Sequence, residues 1–141
     1  MTPVVVGVLV AVGAVVANAA LTPAPRPDAT LHPTGDEPDD LVLRLLAPPE
    51  ATELEIDLST LRSFGPFAEL ELWAAVNAFD SPCLIAIHRA TEDVLGTSCV
   101  PAGADPMTDT MWHGLPGGAN YRFVLHDDTV DAYVLMPEEV E

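Results

Sequence analysis

Apolar and polar positions divide the chain into three regimes. Val4 to Ala20 reads VVVGVLVAVGAVVANAA, and no charged residue occurs between Met1 and Pro25. Between residues 22 and 39 apolar positions thin out, and five prolines and clustered acids replace them. Beyond about Glu53, short apolar runs alternate with turn-forming residues.

The first run, about 17–18 residues long, reaches the lower limit for crossing a hydrocarbon core ~30 Å thick. Three readings compete: a buried core helix, a signal peptide cleaved after the small-x-small Ala17-Asn18-Ala19, and an uncleaved span. A soluble domain seldom opens on a run without a polar face and then breaks into prolines. Export is therefore preferred, first as a single-pass anchor with the C-terminal domain outside, alternatively as secretion after cleavage near Ala19. No Lys or Arg precedes the run and Arg26 follows it, so the positive-inside signal is weak. The expected division is residues 1–21, a transmembrane anchor or signal peptide; 22–52, a Pro-rich acidic stalk; and 53–141, an extracytoplasmic β-rich domain. Membrane contact runs through residues 4–21.

The stalk, TPAPRPDATLHPTGDEPD, holds too few apolar residues to offset its ordering entropy and reads as semi-rigid and solvated. Asp39 to Ala47 can form a short helix, N-capped by Asp and stopped by Pro48-Pro49, lying against the domain or the membrane surface. Asp57 to Gly65 reads as a two-turn helix, with Asp57 or Ser59 at its start and Gly65 in the left-handed position after its end. Pro66 forbids continuation.

The period then changes. Glu69 to Val76 begins in strict alternation, and Cys83 to Ile87 is apolar without alternation, as a strand covered on both faces would be. Gly96–Val100, Met111–Leu115, Tyr121–Leu125 and Ala132–Met136 follow, with Pro116-Gly117-Gly118 and Asp127-Asp128-Thr129 as hairpin punctuation. The expected fold is α+β and mostly β. It is an antiparallel meander of about six strands with a short covering helix (Asp57 to Gly65), preceded by the N-terminal apolar helix. A domain of this size buries about 60–65% of its unfolded surface, so a staple would help.

Cys83 and Cys99 are the only cysteines. In a hairpin centred on Thr91, residues whose numbers total 182 face one another. Ile85 then meets Thr97, Ile87 meets Leu95 and Cys83 meets Cys99, at the ~4.5 Å Cα separation of a non-hydrogen-bonded pair. A structural disulfide is expected, worth ~3 kcal/mol in the chain-entropy picture.

Composition narrows the function. The chain has 22 acidic residues against 5 basic ones, all Arg, for a formal charge of −17. It lacks the basic footprint that a free-standing nucleic-acid binder or a polybasic lipid-binding patch requires. The histidines at 32, 88, 113 and 126 share no metal-ligand spacing, and His88 and His126, at strand ends beside acidic loops, read as solvated rim positions. The serines lack the G-x-S-x-G elbow, and no Gly-rich phosphate loop occurs. No catalytic, cofactor-binding or metal residue is assigned. Asp127, Asp128 and Asp131 offer oxygens for calcium, but a polar hairpin tip explains them equally well. Trp73 and Trp112 fit core or hairpin packing better than a ligand platform.

Ser59-Thr-Leu-Arg-x-x-Gly65, Leu72-Trp-Ala-Ala-x-Asn77, Cys83-Leu84 and Gly96-Thr-Ser-Cys-Val-Pro101 form an ordered series. In this series the chain resembles small, membrane-anchored, uncharacterised exported proteins of high-GC actinobacteria, over roughly residues 53 to 137. That resemblance implies an N-terminal span and an exported small domain, and no activity. The expected function is a non-enzymatic, membrane-tethered module that contacts a protein partner in the cell envelope. The alternative is a small envelope enzyme or enzyme inhibitor acting from loops near Asp80, His113 and Asp127.

Overall fold

A computed structural model describes residues 25–47, 54–111 and 119–136, so the N-terminal apolar run, Trp112 and His113 lie outside the described residues. Eight strands and one helix follow in the order β1 (Ala29–Leu31), α1 (Asp40–Leu46), β2 (Ile56–Phe67), β3 (Leu70–Asn77), β4 (Pro82–His88), β5 (Asp93–Cys99), β6 (Met107–Met111), β7 (Asn120–His126) and β8 (Thr129–Leu135). The fold is mostly β, as the pattern predicts. It is two antiparallel sheets rather than one meander: β2-β3-β4-β5 and β1-β8-β7-β6.

Strand alternation explains the layers. Leu70, Leu72, Ala74, Leu84 and Ala86 point from the first sheet toward Tyr121, Phe123, Leu125, Val130 and Ala132 of the second, forming the inter-sheet core. Phe67 sits edge-on to both Tyr121 and Phe123, at 5.3 and 5.8 Å between ring centres. The odd positions Trp73, Ala75, Ile85 and Ile87 point the other way and are covered by Val42 and Leu46 of α1. β4 is consequently buried on both faces, as its unbroken apolar run requires.

The covering helix is α1, not residues 57–65. Asp39 caps it as expected, accepting from the Val42 amide at 3.1 Å. Residues 57–65 lie inside β2, and the features read there as helix ends build bulges instead. Asp57 Oδ1 accepts from Ser59 N and Ser59 Oγ at 3.0 and 2.6 Å, and Thr60 Oγ1 accepts from Val76 N at 2.9 Å. These bonds satisfy the strand where its register with β3 slips between Asp57 and Arg62. Gly65 does adopt the left-handed conformation (φ 78°), at a second register shift, and Pro66 is tolerated because β2 is an edge strand.

Two further differences concern the flanks. Ala29–Leu31, within the stretch read as a solvated stalk, pairs with β8, and the Thr34 amide donates to Ser63 O of β2 at 2.9 Å. Residues 33–38 thus strap the β2 edge. The strand read at 111–115 begins earlier, at Met107, because Thr108 and Thr110 face inward and are buried although polar.

Cys83 and Cys99 form a disulfide, with Cα atoms 4.1 Å apart. The register agrees with the hairpin arithmetic from Cys83/Cys99 through Ala86/Gly96. A shift then sets Ile87 against Val94 rather than Leu95. Gly96 lies where β5 and β6 close the corner between sheets, and a Cβ there would overlap Thr108 Oγ1.

Two outcomes follow for stability. Replacing both cysteines by Ala should lower the melting temperature by more than about 10 °C, from ~3 kcal/mol of lost chain constraint; an unchanged transition would refute the structural role. Gly96→Ala should destabilise by about 1–3 kcal/mol in urea unfolding, because two edge strands must separate to admit one methyl group.

Candidate functional site

Two concave surfaces lie beside β2. The larger, about 640 Å³, is lined by Pro33 and Gly35 to Pro38 of the strap, Leu43 of α1, and Leu58, Ser59 and Leu61 to Ser63 of β2. Its apolar floor is Leu43, Leu58 and Leu61, and Asp36 and Glu37 form its rim. The strap holds this shape through Thr34, whose hydroxyl accepts from the Asp36 amide at 3.2 Å while its own amide grips Ser63. A smaller hollow of about 320 Å³ shares Asp36, Glu37 and Ser63 and extends to Asp39, Glu71, Trp73 and Arg89.

Arg89 organises that second hollow. It reaches Asp39 Oδ2 at 2.7 Å and both oxygens of Glu71 at 3.0 Å, while Glu71 Oε1 also accepts from Trp73 Nε1 at 2.9 Å. The hydrogen bond from Arg89, helped by the Val42 amide, holds the Asp39 carboxyl below its usual range, and the same pairing raises Arg89. The helix cap, the β4–β5 turn and β3 are thereby joined through one guanidinium.

The other polar cluster occupies the opposite side of Arg62. A hollow of about 210 Å³ is lined by Arg62, Pro82, Gly103 to Pro106, Leu125 and Asp127. His126 Nδ1 lies 2.9 Å from Asp105 Oδ2, its Nε2 lies 3.7 Å from Asp127, and Arg62 pairs with Asp128 at 2.8 Å. The hydrogen bond with Asp105, then its charge and that of Asp127, raises the His126 pKa above 6.5. The residues lining this hollow include no hydroxyl or thiol that an imidazole could activate.

Of the three loop residues singled out for the alternative reading, Asp127 belongs to this cluster. Asp80 sits in the β3–β4 turn with φ 60° and lines neither this hollow nor the groove, and His113 lies outside the described residues. Asp127, Asp128 and Asp131 diverge: Asp128 turns to Arg62, and Asp131 accepts from Thr30 at 3.0 Å. Among the described residues no three His, Cys, Asp or Glu side chains converge as a metal site would require. His126 is an exposed rim position, as read, but His88 is buried (3% exposed), its Nδ1 2.7 Å from Thr91 Oγ1 within the turn that follows it. The strap groove carries no signature in the sequence, because it arises from an edge strand whose pairing with residues 33–38 spans a long stretch of chain.

No family model matches the chain, and neither a curated protein nor a solved structure was found to be similar to it.

The His126 pair makes a signed prediction. Because its folded pKa is raised, its contribution to stability is present below the ordinary imidazole range and is lost as pH rises through the raised value. An NMR titration should find the His126 pKa raised above the ordinary imidazole value in the native protein and lower in Asp105→Asn, where only the charges of Asp127 and Asp131 still raise it. A wild-type histidine that titrates normally would contradict the pairing.

Proposed function

We propose that the chain is an exported, envelope-tethered binding module that receives a partner segment in the groove between the strap, α1 and β2. The observation that carries this reading is the groove itself: an apolar floor of Leu43, Leu58 and Leu61 under the acidic rim of Asp36 and Glu37. A segment offering apolar side chains flanked by Lys or Arg matches both features. β2 is an edge strand that the strap grips at Ser63, so an extended segment has backbone groups to meet as well. Export draws support from the Cys83–Cys99 bridge, which persists in oxidising compartments, and from the apolar run at residues 4–21. The resemblance to exported actinobacterial proteins accords with it. The envelope enzyme or inhibitor is the second reading, and it draws on the His126–Asp105 pair beside Asp127.

Capture from detergent-solubilised membranes tests the proposal, using the full chain and a Leu58→Arg/Glu37→Lys variant with reversed groove chemistry. The full chain should retain a specific basic partner that the variant, melting at the same temperature, loses. Equal retention by both would sink the groove as the binding surface. Intact mass of the alkylated, unreduced bait should equal the full-length chain in the membrane fraction, with both thiols unmodified. Two alkyl adducts would overturn export.

A further inference from the structure

We propose that the outer face of the β1-β8-β7-β6 sheet lies flat on the lipid bilayer to which the chain is tethered. The inference rests on residues 4–21 being an uncleaved span. It adds a second membrane contact, made by the folded domain itself.

The face that points away from the core carries an apolar cluster, bordered by the polar positions Asn120, His126, Thr129 and Asp131. Alternation puts Met107, Val124, Tyr133 and Leu135 on it, around a shallow hollow of about 350 Å³ that Pro25 and Arg122 complete. Met107 is 47% exposed, and Met136, just past β8, is 63% exposed. Arg122 holds Asp109 through two bonds of 2.8 and 2.9 Å, which neutralises one of the two acids on this face; the other, Asp131 opposite Val124, accepts from Thr30. Aromatic and thioether side chains with an arginine suit a headgroup boundary. The chain's many other acids would be repelled by lipid phosphates.

Chain length determines the occupant. The fold takes hold of the backbone at Asp28, whose amide donates to Ala132 O at 2.8 Å and whose carboxylate accepts from Val134 N at 2.7 Å. Only residues 22–27 separate that attachment from Leu21, the end of the apolar run. At ~3.3 Å per residue they reach about 20 Å, and Pro25, lining the hollow, can stand no more than about 13 Å from the end of the span. The headgroup region is itself some 5–7 Å deep on each side, so the tether cannot hold this face far from lipid. A long stalk that stands the domain off the membrane does not fit these contacts, because the chain is attached to the domain from Asp28 through β1, again at Thr34, and by α1.

The test uses the full-length, disulfide-intact chain in phosphatidylcholine vesicles, carrying an environment-sensitive fluorophore on Met107→Cys or Leu135→Cys. Asp40→Cys, on α1 across the domain, is the control. Lipid-borne nitroxide should quench the labels on the sheet several-fold more than the control, and aqueous iodide should do the reverse. Vesicle flotation with iodide-accessible labels at 107 and 135 would overturn the flat orientation while leaving the anchor standing. A chain that fails to float would overturn both. Labels shielded from iodide and from lipid nitroxide would also overturn it, since self-quenching would then mark a second copy and its absence would mark cover by residues 4–21.

Discussion

β4 has water on neither face, and the rest of the fold answers to that constraint. Cys83 to Ile87 is apolar at every position, so both sides of its sheet need cover. On one side the second sheet supplies Tyr121, Phe123 and Leu125. On the other, α1 supplies Val42 and Leu46. Full burial of an aliphatic side chain contributes ~1.5–3 kcal/mol, which makes a seven-residue helix, too short to persist alone, stable in place. The three-layer arrangement follows from one strand's composition.

Arginine placement completes the assembly. Arg44 meets Glu92, Arg62 meets Asp128, Arg89 meets Asp39 and Glu71, and Arg122 meets Asp109. Three of these sets join elements distant in the chain. Each exposed pair contributes only ~0–1 kcal/mol. In a chain with 22 acids, however, these four arginines also relieve repulsion between the segments they join. The depressed carboxyls of Asp39, Asp57 and Asp109 add stability above the ordinary carboxylate range that is lost as pH falls through their lowered values.

What could be read from the sequence was local. The doubly buried strand, the α1 cap at Asp39 and the Cys83–Cys99 facing pair depend on neighbours in the chain or on a short hairpin, and each appears in the fold. Residues 57–65 misled because Asp57 and Gly65 carry signals shared by helix ends and bulges. Only the pairing with β3, from Ile56/Asn77 to Phe67/Leu70, decides between them. The division into two sheets was equally hidden: turn residues between β5 and β6 look the same whether the next strand pairs alongside or crosses over. The groove and the His126–Asp105 contact both join segments far apart in sequence, which periodicity cannot report.

The disulfide has a consequence for survival outside a protective compartment. It ties β4 to β5 around the exposed Arg89–Glu92 turn, the kind of site proteases prefer. A single cut there leaves both halves covalently joined and each still paired within its sheet. The domain can be nicked and yet not come apart, so cleavage at this exposed hairpin need not end its working life.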